Sequence, residues 1–335
     1  MGHILVIVLC ITAAGCSQWH GAYPEEGIEI LTYNVQDLFD AQYDGDEYPE
    51  YDPRSGRWDA PGYHLRLSRL RDVVARSGYP DIILLQEIEK PGILDDLVTG
   101  YLYGQGYRYR GGTSTQGSAI EVGILSRYPV MQVLLHRGEH HGESSPRPTM
   151  EVVLDTPWGA IHVLNAHWKS KIDGDEQTEP ARRACASVIT GRAAEIREQD
   201  GDAYIIAGGD FNTTPYESGC YPLAVAQWDG GGDCGAVLYI TGDPAQPDAA
   251  EGVFFSPWLQ EVGMNLPGTY MYRGDWEAID HLLFCENFFT GESLEFCEAY
   301  VVDEQLLDAW GSPAGWNLDN REGYSDHLPL GAVVR

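Results

Sequence analysis

The chain has 335 residues, 43% of them hydrophobic, which is enough for one large or two ordinary domains with a substantial core. Its 51 acidic residues against 21 Lys and Arg give a formal net charge of −30. This charge argues against tight, unaided binding to duplex nucleic acid, because Lys and Arg supply most of that affinity. A nuclease that meets its substrate through bound cations is still compatible with it.

The N-terminus reads MGHILVIVLCITAAGC, a short apolar run followed by small residues and a cysteine. The run is too short for a membrane span, which takes about 20 residues, and it suits the apolar core of a signal peptide. It resembles a bacterial lipoprotein signal, which implies a signal peptide over 1–15, lipidation of Cys16 and a tether over 16–27. The protein is then exported and anchored to a membrane; ordinary secretion and a buried N-terminal strand are the alternatives.

Apolar and amphipathic runs alternate over the rest of the chain, which predicts strands mixed with helices. Strands are expected at 28–33, 81–86, 119–125, 130–135, 149–154, 160–166 and 203–207, with a last one at the C-terminus. Helices are expected at 64–77, 91–103 and 178–199, the last with Thr178 as N-cap. Stretches rich in Gly, Pro and Asp predict loops at 42–62 and 228–252. Because neither class is segregated, a single layered α/β or α+β domain over 28–335 is expected.

Five cysteines follow the N-terminal segment, at positions 185, 220, 234, 285 and 297. None has the close paired spacing of a zinc site. If export allows oxidation, Cys220–Cys234 and Cys285–Cys297 are the short-loop pairings, which leaves Cys185 free.

Five short motifs share one design, a strand-like run that ends in polar groups. They are LTYN with Asn34, ILLQE with Glu87, VLNAH with His167, YIIAGGDFN with Asp210 and Asn212, and SDH with Asp326 and His327. If the strands lie side by side, these groups gather at one edge. Carboxylates and an amide oxygen suit Mg²⁺, an Asp can take a proton from water, and His and Asn can hold phosphate oxygens. The set predicts metal-assisted phosphoester hydrolysis.

The glycine pair of GGDFN predicts a tight turn from which Asp210 and Asn212 project together. This makes GGDFN the most specific of the five motifs.

The motifs in this order resemble the endonuclease/exonuclease/phosphatase superfamily, which includes deoxyribonuclease I, abasic-site endonucleases, sphingomyelinases and inositol-polyphosphate phosphatases. AIDHLLF at 278–284 also resembles a family motif, with His281 in place of an aromatic residue, and so does ILSRYPV at 124–130. TYNVQDLFD, QEIE and HWKSK resemble a bacterial branch that is defined by motifs rather than by a substrate. The resemblance covers 28–335 and implies a four-layer sandwich, with two mixed β-sheets packed face to face and flanked by helices.

The resemblance also implies a role for each matching residue. Asn34, Glu87 and Asp326 would hold the metal ion, Mg²⁺ with Mn²⁺ or Ca²⁺ as alternatives. Asp210 would orient or deprotonate the attacking water, Asn212 would contact phosphate oxygens, and His327, supported by Asp280, would contact the scissile phosphate. His167 would contact phosphate or assist the leaving group.

The stretch NAHWKSK contains two of the chain's three lysines. Alternation along an extended strand would place His167, Lys169 and Lys171 on one side, so Lys169 is expected to contact the substrate phosphate. The alternative is an ion pair with an acid such as Asp173. Arg127 and Arg147 are expected as further phosphate or structural contacts.

Three functions are compatible with these observations. The first is an exported, Mg²⁺-dependent phosphodiesterase, a nuclease in the first instance, acting as a monomer. The second is a phosphodiesterase or phosphatase for phospholipid, inositol or sugar-phosphate head groups; FFSPWLQ at 254–260 is the candidate for membrane entry, against core packing. The third is a non-catalytic surface binding protein, which predicts loss of a motif residue, and none is lost.

Overall fold

The computed structural model describes residues 27–140, 142–145, 147–215, 223–225, 237–260 and 264–335. The predicted signal peptide, Cys16 and the tether up to residue 26 lie outside these residues. Within them, the structure contains no helix of the length and apolar character that a membrane span requires.

The described part of the chain contains three α-helices and eighteen strands, with short 3₁₀ helices between them. The helices are α1 (Ala60–Arg76), α2 (Gly92–Gly100) and α3 (Asp175–Gln199). The strands are β1 (Ile28–Leu38), β2 (Ile82–Ile88), β3 (Tyr109–Gly112), β4 (Glu121–Ser126), β5 (Val130–His136), β6 (Glu139–His140), β7 (Glu143–Ser144), β8 (Thr149–Thr156), β9 (Gly159–His167), β10 (Tyr204–Asp210), β11 (Leu223–Val225), β12 (Leu238–Thr241), β13 (Val253–Phe255), β14 (Tyr270–Tyr272), β15 (Asp275–Glu277), β16 (Asp280–Phe284), β17 (Phe296–Val301) and β18 (Leu330–Val334).

Two mixed sheets contain most of the strands. The six-stranded sheet has the order β17-β18-β1-β2-β4-β3, and only β1 and β2 run parallel in it. The eight-stranded sheet has the order β11-β12-β13-β16-β10-β9-β8-β5, with β9 and β10 parallel at its centre. The remaining strands form two hairpins, β6–β7 and β14–β15.

The two sheets pack face to face, with β1 and β2 against β10 and β9. Helices α1 and α2 pack on the six-stranded sheet, and α3 packs on the eight-stranded one. Alternation along β1 shows the layering: Tyr33 and Val35 face α1, whereas Thr32 and Asn34 face the other sheet. The predicted four-layer sandwich is therefore confirmed.

A buried polar bridge joins the two sheets at their centre. Gln86 Nε2 donates to Asn165 Oδ1 at 2.9 Å and to Thr32 Oγ1 at 3.1 Å. Asn165 Nδ2 in turn donates to the carbonyl of Gly123 at 2.8 Å. Because buried polar groups are costly unless they are paired, this bridge favours one relative alignment of the two packed sheets.

A second polar cluster joins α3 to the outer face of the eight-stranded sheet. Glu151 of β8 is fully buried and accepts hydrogen bonds from His136 (2.6 Å), His162 (2.7 Å) and Arg192 (2.6 Å). Burial opposes the ionisation of Glu151, but the hydrogen bonds from its three partners hold its pKa well below the ordinary value. Glu151 is therefore an anion in the folded protein.

Two helices begin earlier than the sequence predicted. Helix α1 begins at Ala60 because Asp59 caps it, accepting the Gly62 N–H at 2.9 Å. Helix α3 begins at Asp175 with Gly174 as its N-cap. The prediction of Thr178 as N-cap is wrong, because its hydroxyl donates to the Gly174 carbonyl from inside the helix.

The predicted strands are all present, with ends that differ by at most five residues. Where the structure describes the predicted loop at 228–252, the prediction is wrong in part, since the stretch contains β12 and a short 3₁₀ helix at Ala249–Glu251, with loop between them. The apolar stretch at 254–260 is core rather than an exposed hairpin: Phe254, Phe255 and Trp258 are buried.

Of the cysteines, Cys185, Cys285 and Cys297 are free. The Cys285–Cys297 pairing is therefore wrong, because Cys285 points into the core, where its sulfur accepts the Ile205 N–H at 3.2 Å, while Cys297 is exposed. Cys220 and Cys234 lie outside the described residues.

Candidate active site

The polar groups that end the central strands meet at one edge of the sandwich. Asn34 and Glu87 come from β1 and β2 of one sheet, and His167 and Asp210 end β9 and β10 of the other. The segment before β18 and the first residue of β16 complete the site with Asp326, His327 and Asp280. The structure thus brings together the predicted residues of all five motifs.

Asn34 links the two sheets within this site. Its Nδ2 group donates to Glu87 Oε1 at 3.0 Å and to Asp210 Oδ2 at 3.0 Å. Its Oδ1 accepts the N–H of Gln36 at 3.0 Å. One amide therefore holds two carboxylates, from different sheets, at a fixed separation.

Glu87, His167 and Asp210 each direct one ligand-type atom to a common point, with all three atoms within 4.8 Å of one another. His167 Nε2 lies 3.8 Å from Glu87 Oε1 and 3.6 Å from Asp210 Oδ2. Burial, with the charges of Arg147 and His327, lowers the pKa of His167 well below its usual value. A neutral imidazole beside two carboxylates is a donor set that fits a divalent cation.

His327 and Asp280 form a buried pair beside that group. His327 Nδ1 lies 2.7 Å from Asp280 Oδ2, which also accepts the Thr269 hydroxyl at 2.5 Å. Burial alone would lower the pKa of His327, but Asp280, Asp210 and Asp326 raise it well above its usual value. His327 is therefore a cation at neutral pH, and Asp280 fixes the orientation of its ring.

Asp210 lies between the two groups. Its Oδ2 is 3.9 Å from His327 Nε2, and its Oδ1 accepts the N–H of Asn212 at 2.9 Å. Burial raises the pKa of Asp210 to about 7, against the opposing charge of His327. A carboxyl group that titrates near neutrality can accept or return a proton at working pH.

The glycine pair before Asp210 does not form the predicted turn. Both glycines lie inside β10, and Gly209 has φ of +131°. A Cβ atom on Gly209 would lie 1.9 Å from the Ala166 carbonyl oxygen of the adjacent strand. Glycine is therefore required at 209 for β9 and β10 to approach closely, and the turn begins only at Asn212, with φ of +49°.

Four non-glycine residues of the site adopt positive φ: Gln36 (54°), Asp37 (51°), Glu87 (65°) and Asn212 (49°). The first three lie at irregularities where β1 and β2 shift their pairing register. Such a conformation costs about 1–3 kcal/mol per residue and persists only where the surroundings impose it. The bulges turn Asp37 and Glu87 into the site.

Sequence reasoning missed two residues of the β1 bulge. The Asp37 N–H donates to Glu87 Oε2 at 2.9 Å; burial and the charges of Glu87 and Asp326 raise the Asp37 pKa to about 8. Gln36 Oε1 accepts the N–H groups of Trp316 (2.6 Å) and Asp326 (3.0 Å), which holds the Asp326 segment in place. The one feature of the sequence that pointed to Gln36 and Asp37 was their position within LTYNVQD.

Asp326, expected to hold the metal, is only partly integrated into the site. Burial raises its pKa, and its charge acts on Asp37 and His327. Among the residues that the structure describes, it belongs to no group of three or more ligand atoms within mutual reach. Glu87 and His167 are better placed than Asp326 to hold the metal ion.

Of the two roles expected for Arg127, phosphate contact or structural contact, the structure supports the structural one. Arg127 pairs with Asp81 Oδ1 at 2.9 Å and donates to the Gln105 carbonyl at 3.0 Å. Asp81 precedes β2 whereas Glu87 lies near its end, so the two ends are about 20 Å apart along the strand. Arg127 therefore stabilises the edge opposite the site.

Lys169 forms the ion pair that was the alternative interpretation, with Nζ 2.5 Å from Asp173 Oδ2. The chain leaves the extended conformation after His167 and forms a 3₁₀ helix at Lys171–Asp173, so the expected alternation fails. Arg147 is better placed to contact a phosphate, because its charge contributes to lowering the pKa of His167 in the site. No described residue makes a hydrogen bond or ion pair with Arg147.

The resemblance implies an aromatic side chain at position 281, where this chain has His281. It is buried, stacks against Phe211 with ring centroids 5.0 Å apart, and its Nε2 lies 2.9 Å from the Thr213 carbonyl oxygen. Burial lowers its pKa to about 4, so the ring is neutral. The substitution leaves the Asp280–His327 pair intact.

Comparison with known proteins gives matches in sequence and in fold. The model of the Endonuclease/Exonuclease/phosphatase family matches residues 29–227, more than half of the chain. No curated protein sequence matches the chain significantly.

Three solved structures illustrate the fold. Sphingomyelinase C from Streptomyces griseocarneus superposes with a TM-score of 0.56 at 15% identity, covering 92% of this chain and 99% of that one. Truncated TDP2 from Caenorhabditis elegans gives 0.54 at 16% identity, covering 92% and 96%. The endonuclease/exonuclease/phosphatase from Bacteroides vulgatus gives 0.53 at 14% identity, covering 92% and 98%. By its sequence match and its fold, the chain belongs to the endonuclease/exonuclease/phosphatase family.

Proposed function

We propose that the protein is a metal-dependent phosphodiesterase that hydrolyses nucleic acid. The observation that carries this proposal is the position of Asp210. One of its oxygens lies 3.6 Å from His167 Nε2, in a group that fits a cation, and 3.9 Å from His327 Nε2, on a charged imidazole. A carboxylate between a cation site and a fixed positive charge is arranged to place water beside a phosphate.

The residues of the chain have separate tasks in this reaction. The His327 imidazolium, oriented by Asp280, donates a hydrogen bond to a phosphoryl oxygen and stabilises the charge that develops there. Asp210 orients the attacking water and accepts its proton, and the Asn212 amide contacts a second phosphate oxygen. A divalent cation held by Glu87 and His167 beside Asp210, Mg²⁺ or alternatively Mn²⁺ or Ca²⁺, would supply Lewis-acid stabilisation.

Nucleic acid is the substrate class to test before lipid head groups. An exposed apolar segment for membrane entry would have supported the head-group alternative, and the aromatic residues of its one candidate, FFSPWLQ, are buried. The acidic composition remains compatible with a nucleic-acid substrate if cations screen the chain.

The experiment is a substrate panel with Mg²⁺, Mn²⁺ and Ca²⁺ in turn. It contains single- and double-stranded DNA, RNA, bis(p-nitrophenyl) phosphate, sphingomyelin and inositol phosphates. We expect hydrolysis of nucleic acid and of the simple diester, lost in EDTA and in Asp210→Ala, with the melting temperature retained. Lys169→Ala is the matched control and should stay active. Turnover that survives both EDTA and Asp210→Ala would overturn the proposal, and hydrolysis confined to sphingomyelin or inositol phosphates would replace its substrate.

The cellular location belongs to the same proposal: an exported monomer anchored by lipid on Cys16. The apolar N-terminal run ending in Ala-Ala-Gly-Cys supports it. Wild type should fractionate with membranes and incorporate labelled fatty acid, whereas Cys16→Ser should do neither. A wild-type protein without label would contradict the anchor, and size-exclusion chromatography with light scattering tests the monomer.

A further inference from the structure

The β14–β15 hairpin is built into the active site at its base. The Tyr270 ring lies against the His327 ring with centroids 4.8 Å apart, and the two residues form an isolated antiparallel bridge. The Leu328 N–H donates to the Thr269 carbonyl at 2.8 Å, and the Thr269 hydroxyl bonds to Asp280. The start of the hairpin is therefore held rigidly against the His327–Asp280 pair.

The tip of the same hairpin projects into solvent. Tyr272 pairs with Asp275 across a two-residue turn formed by Arg273 (φ 53°) and Gly274 (φ 94°), the conformation expected of a tight hairpin. Tyr272 is 48% exposed, and the Arg273 guanidinium lies 4.9 Å from the centroid of its ring. No described residue makes an ion pair with Arg273, in a chain whose formal net charge is −30.

The path from the catalytic histidine to the tip follows one face of β14. Tyr270 and Tyr272 lie on that face, and alternate residues of a strand are about 7 Å apart. Met271, on the opposite face, contacts the Ser312 hydroxyl at 3.0 Å, which braces the hairpin against the loop of residues 308–312. An exposed aromatic ring and a cation are thus held one step beyond the ring that touches His327.

We propose that Tyr272 and Arg273 bind the nucleotide adjacent to the scissile phosphate, Tyr272 by stacking on its base and Arg273 by pairing with its phosphate. This inference rests on the proposed nucleic-acid substrate. Stacking of a base on an aromatic side chain together with an Arg contact is the usual combination in binding of single strands. The hairpin therefore determines preference for a chain of nucleotides over a small diester.

The charge of Arg273 favours a nucleotide, which is an anion, over other candidate ligands. It disfavours a cationic head group, and it offers an anion a fork of donors with fixed geometry. A lipid surface is the competing occupant, because Trp310 on the bracing loop is 90% exposed. The experiment distinguishes the two.

The test compares Tyr272→Ala and Arg273→Gln with wild type on a single-stranded 12-nucleotide substrate and on bis(p-nitrophenyl) phosphate. Each variant should lower kcat/KM for the oligonucleotide, relative to that for the diester, by about ten-fold, mainly through KM, because Tyr272→Ala loses the base stacking and Arg273→Gln loses the charged contact with phosphate. Arg273→Gln should also reduce the slope of log affinity against log salt by about one, and Arg273→Lys should restore part of the loss. Tyr103→Ala and Arg108→Gln, exposed residues near the opposite edge, are the matched controls.

Three results would overturn the proposal. Equal losses on both substrates would show that the hairpin only supports His327. An unchanged oligonucleotide KM would show that the tip of the hairpin does not touch the substrate. If the variants and Trp310→Ala then weaken sedimentation with phosphatidylcholine–phosphatidylglycerol vesicles, the hairpin tip and the loop of Trp310 bind lipid instead. A wild-type protein that cleaves the diester but no oligonucleotide would refute the nucleic-acid substrate while leaving the metal-dependent phosphodiesterase in place.

Discussion

The ring of His327 lies 2.7 Å from Asp280 at Nδ1 and 3.9 Å from Asp210 at Nε2, so one imidazole connects a buried carboxylate to the carboxylate that faces the substrate position. This relationship explains why a buried histidine stays charged. It also separates orientation, which Asp280 provides, from proton transfer, which we assign to Asp210.

Asp280→Asn should lower kcat by about 10²–10⁴-fold while the fold persists, because the amide neither holds the imidazolium nor favours its charge. The sign of the pH effect follows from the raised pKa of His327. Without Asp280 that pKa falls, so the alkaline limb of the kcat profile should move to lower pH. His281→Phe, which replaces the adjacent buried ring, is the control and should keep the wild-type profile. An Asp280→Asn profile with an unmoved alkaline limb would refute the role of the pair.

Glu87→Gln should weaken binding of Mn²⁺ by at least about ten-fold, because an isosteric amide removes the charge but not the shape of a ligand. Isothermal titration calorimetry measures this without any substrate. Asp326→Asn should have a smaller effect, since Asp326 lies outside the Glu87–His167–Asp210 group. Asp173→Asn, in the exposed pair with Lys169, is the control. Equal Mn²⁺ affinity in Glu87→Gln and wild type would place the cation elsewhere.

Lys169→Ala should change KM and kcat by less than about two-fold, because the exposed pair with Asp173 contributes little. Arg147→Gln should raise KM for the best diester by about ten-fold, the size expected for a lost charge-assisted hydrogen bond to phosphate. Steady-state kinetics of the two variants side by side gives the answer. A large effect of Lys169→Ala with none for Arg147→Gln would reverse the assignment.

Glu151→Gln should destabilise the fold by about 3–5 kcal/mol at pH 7, because it leaves three basic partners around a neutral amide. The folded pKa of Glu151 is depressed, so its contribution is complete above the unfolded value of about 4.3 and is lost as pH falls below it. Urea unfolding between pH 3 and 7 should therefore show a smaller acid-side loss of stability in the variant. Parallel pH curves for variant and wild type would exclude the cluster as the cause.

The sequence predicted the site where polar residues follow apolar runs, as at Asn34, His167 and Asp210. This worked because a strand buried on both faces reads as an apolar run, so the polar residue that follows it marks the edge of the sandwich. It could not predict the bulges at Gln36, Asp37 and Glu87, since no local signal marks a non-glycine residue for positive φ.

The other wrong predictions from the sequence also have physical causes. The motif that contains Arg127 carries no information about which end of β4 faces the substrate, and the antiparallel pairing with β2 places it at the far edge. The glycines at 208 and 209 permit a turn, but here they serve the close approach of two strands. The β14–β15 hairpin escaped notice because three-residue strands show no measurable periodicity.

The left-handed residues of the site limit how far this protein can be stabilised without loss of activity. Gln36→Gly would relieve a conformation that costs about 1–2 kcal/mol, and it would also remove the side chain that holds Asp326. A screen for thermal resistance alone would therefore favour replacements at positions 36, 37 and 212 that degrade the site. Selection for thermostability in this protein needs an activity assay at every round.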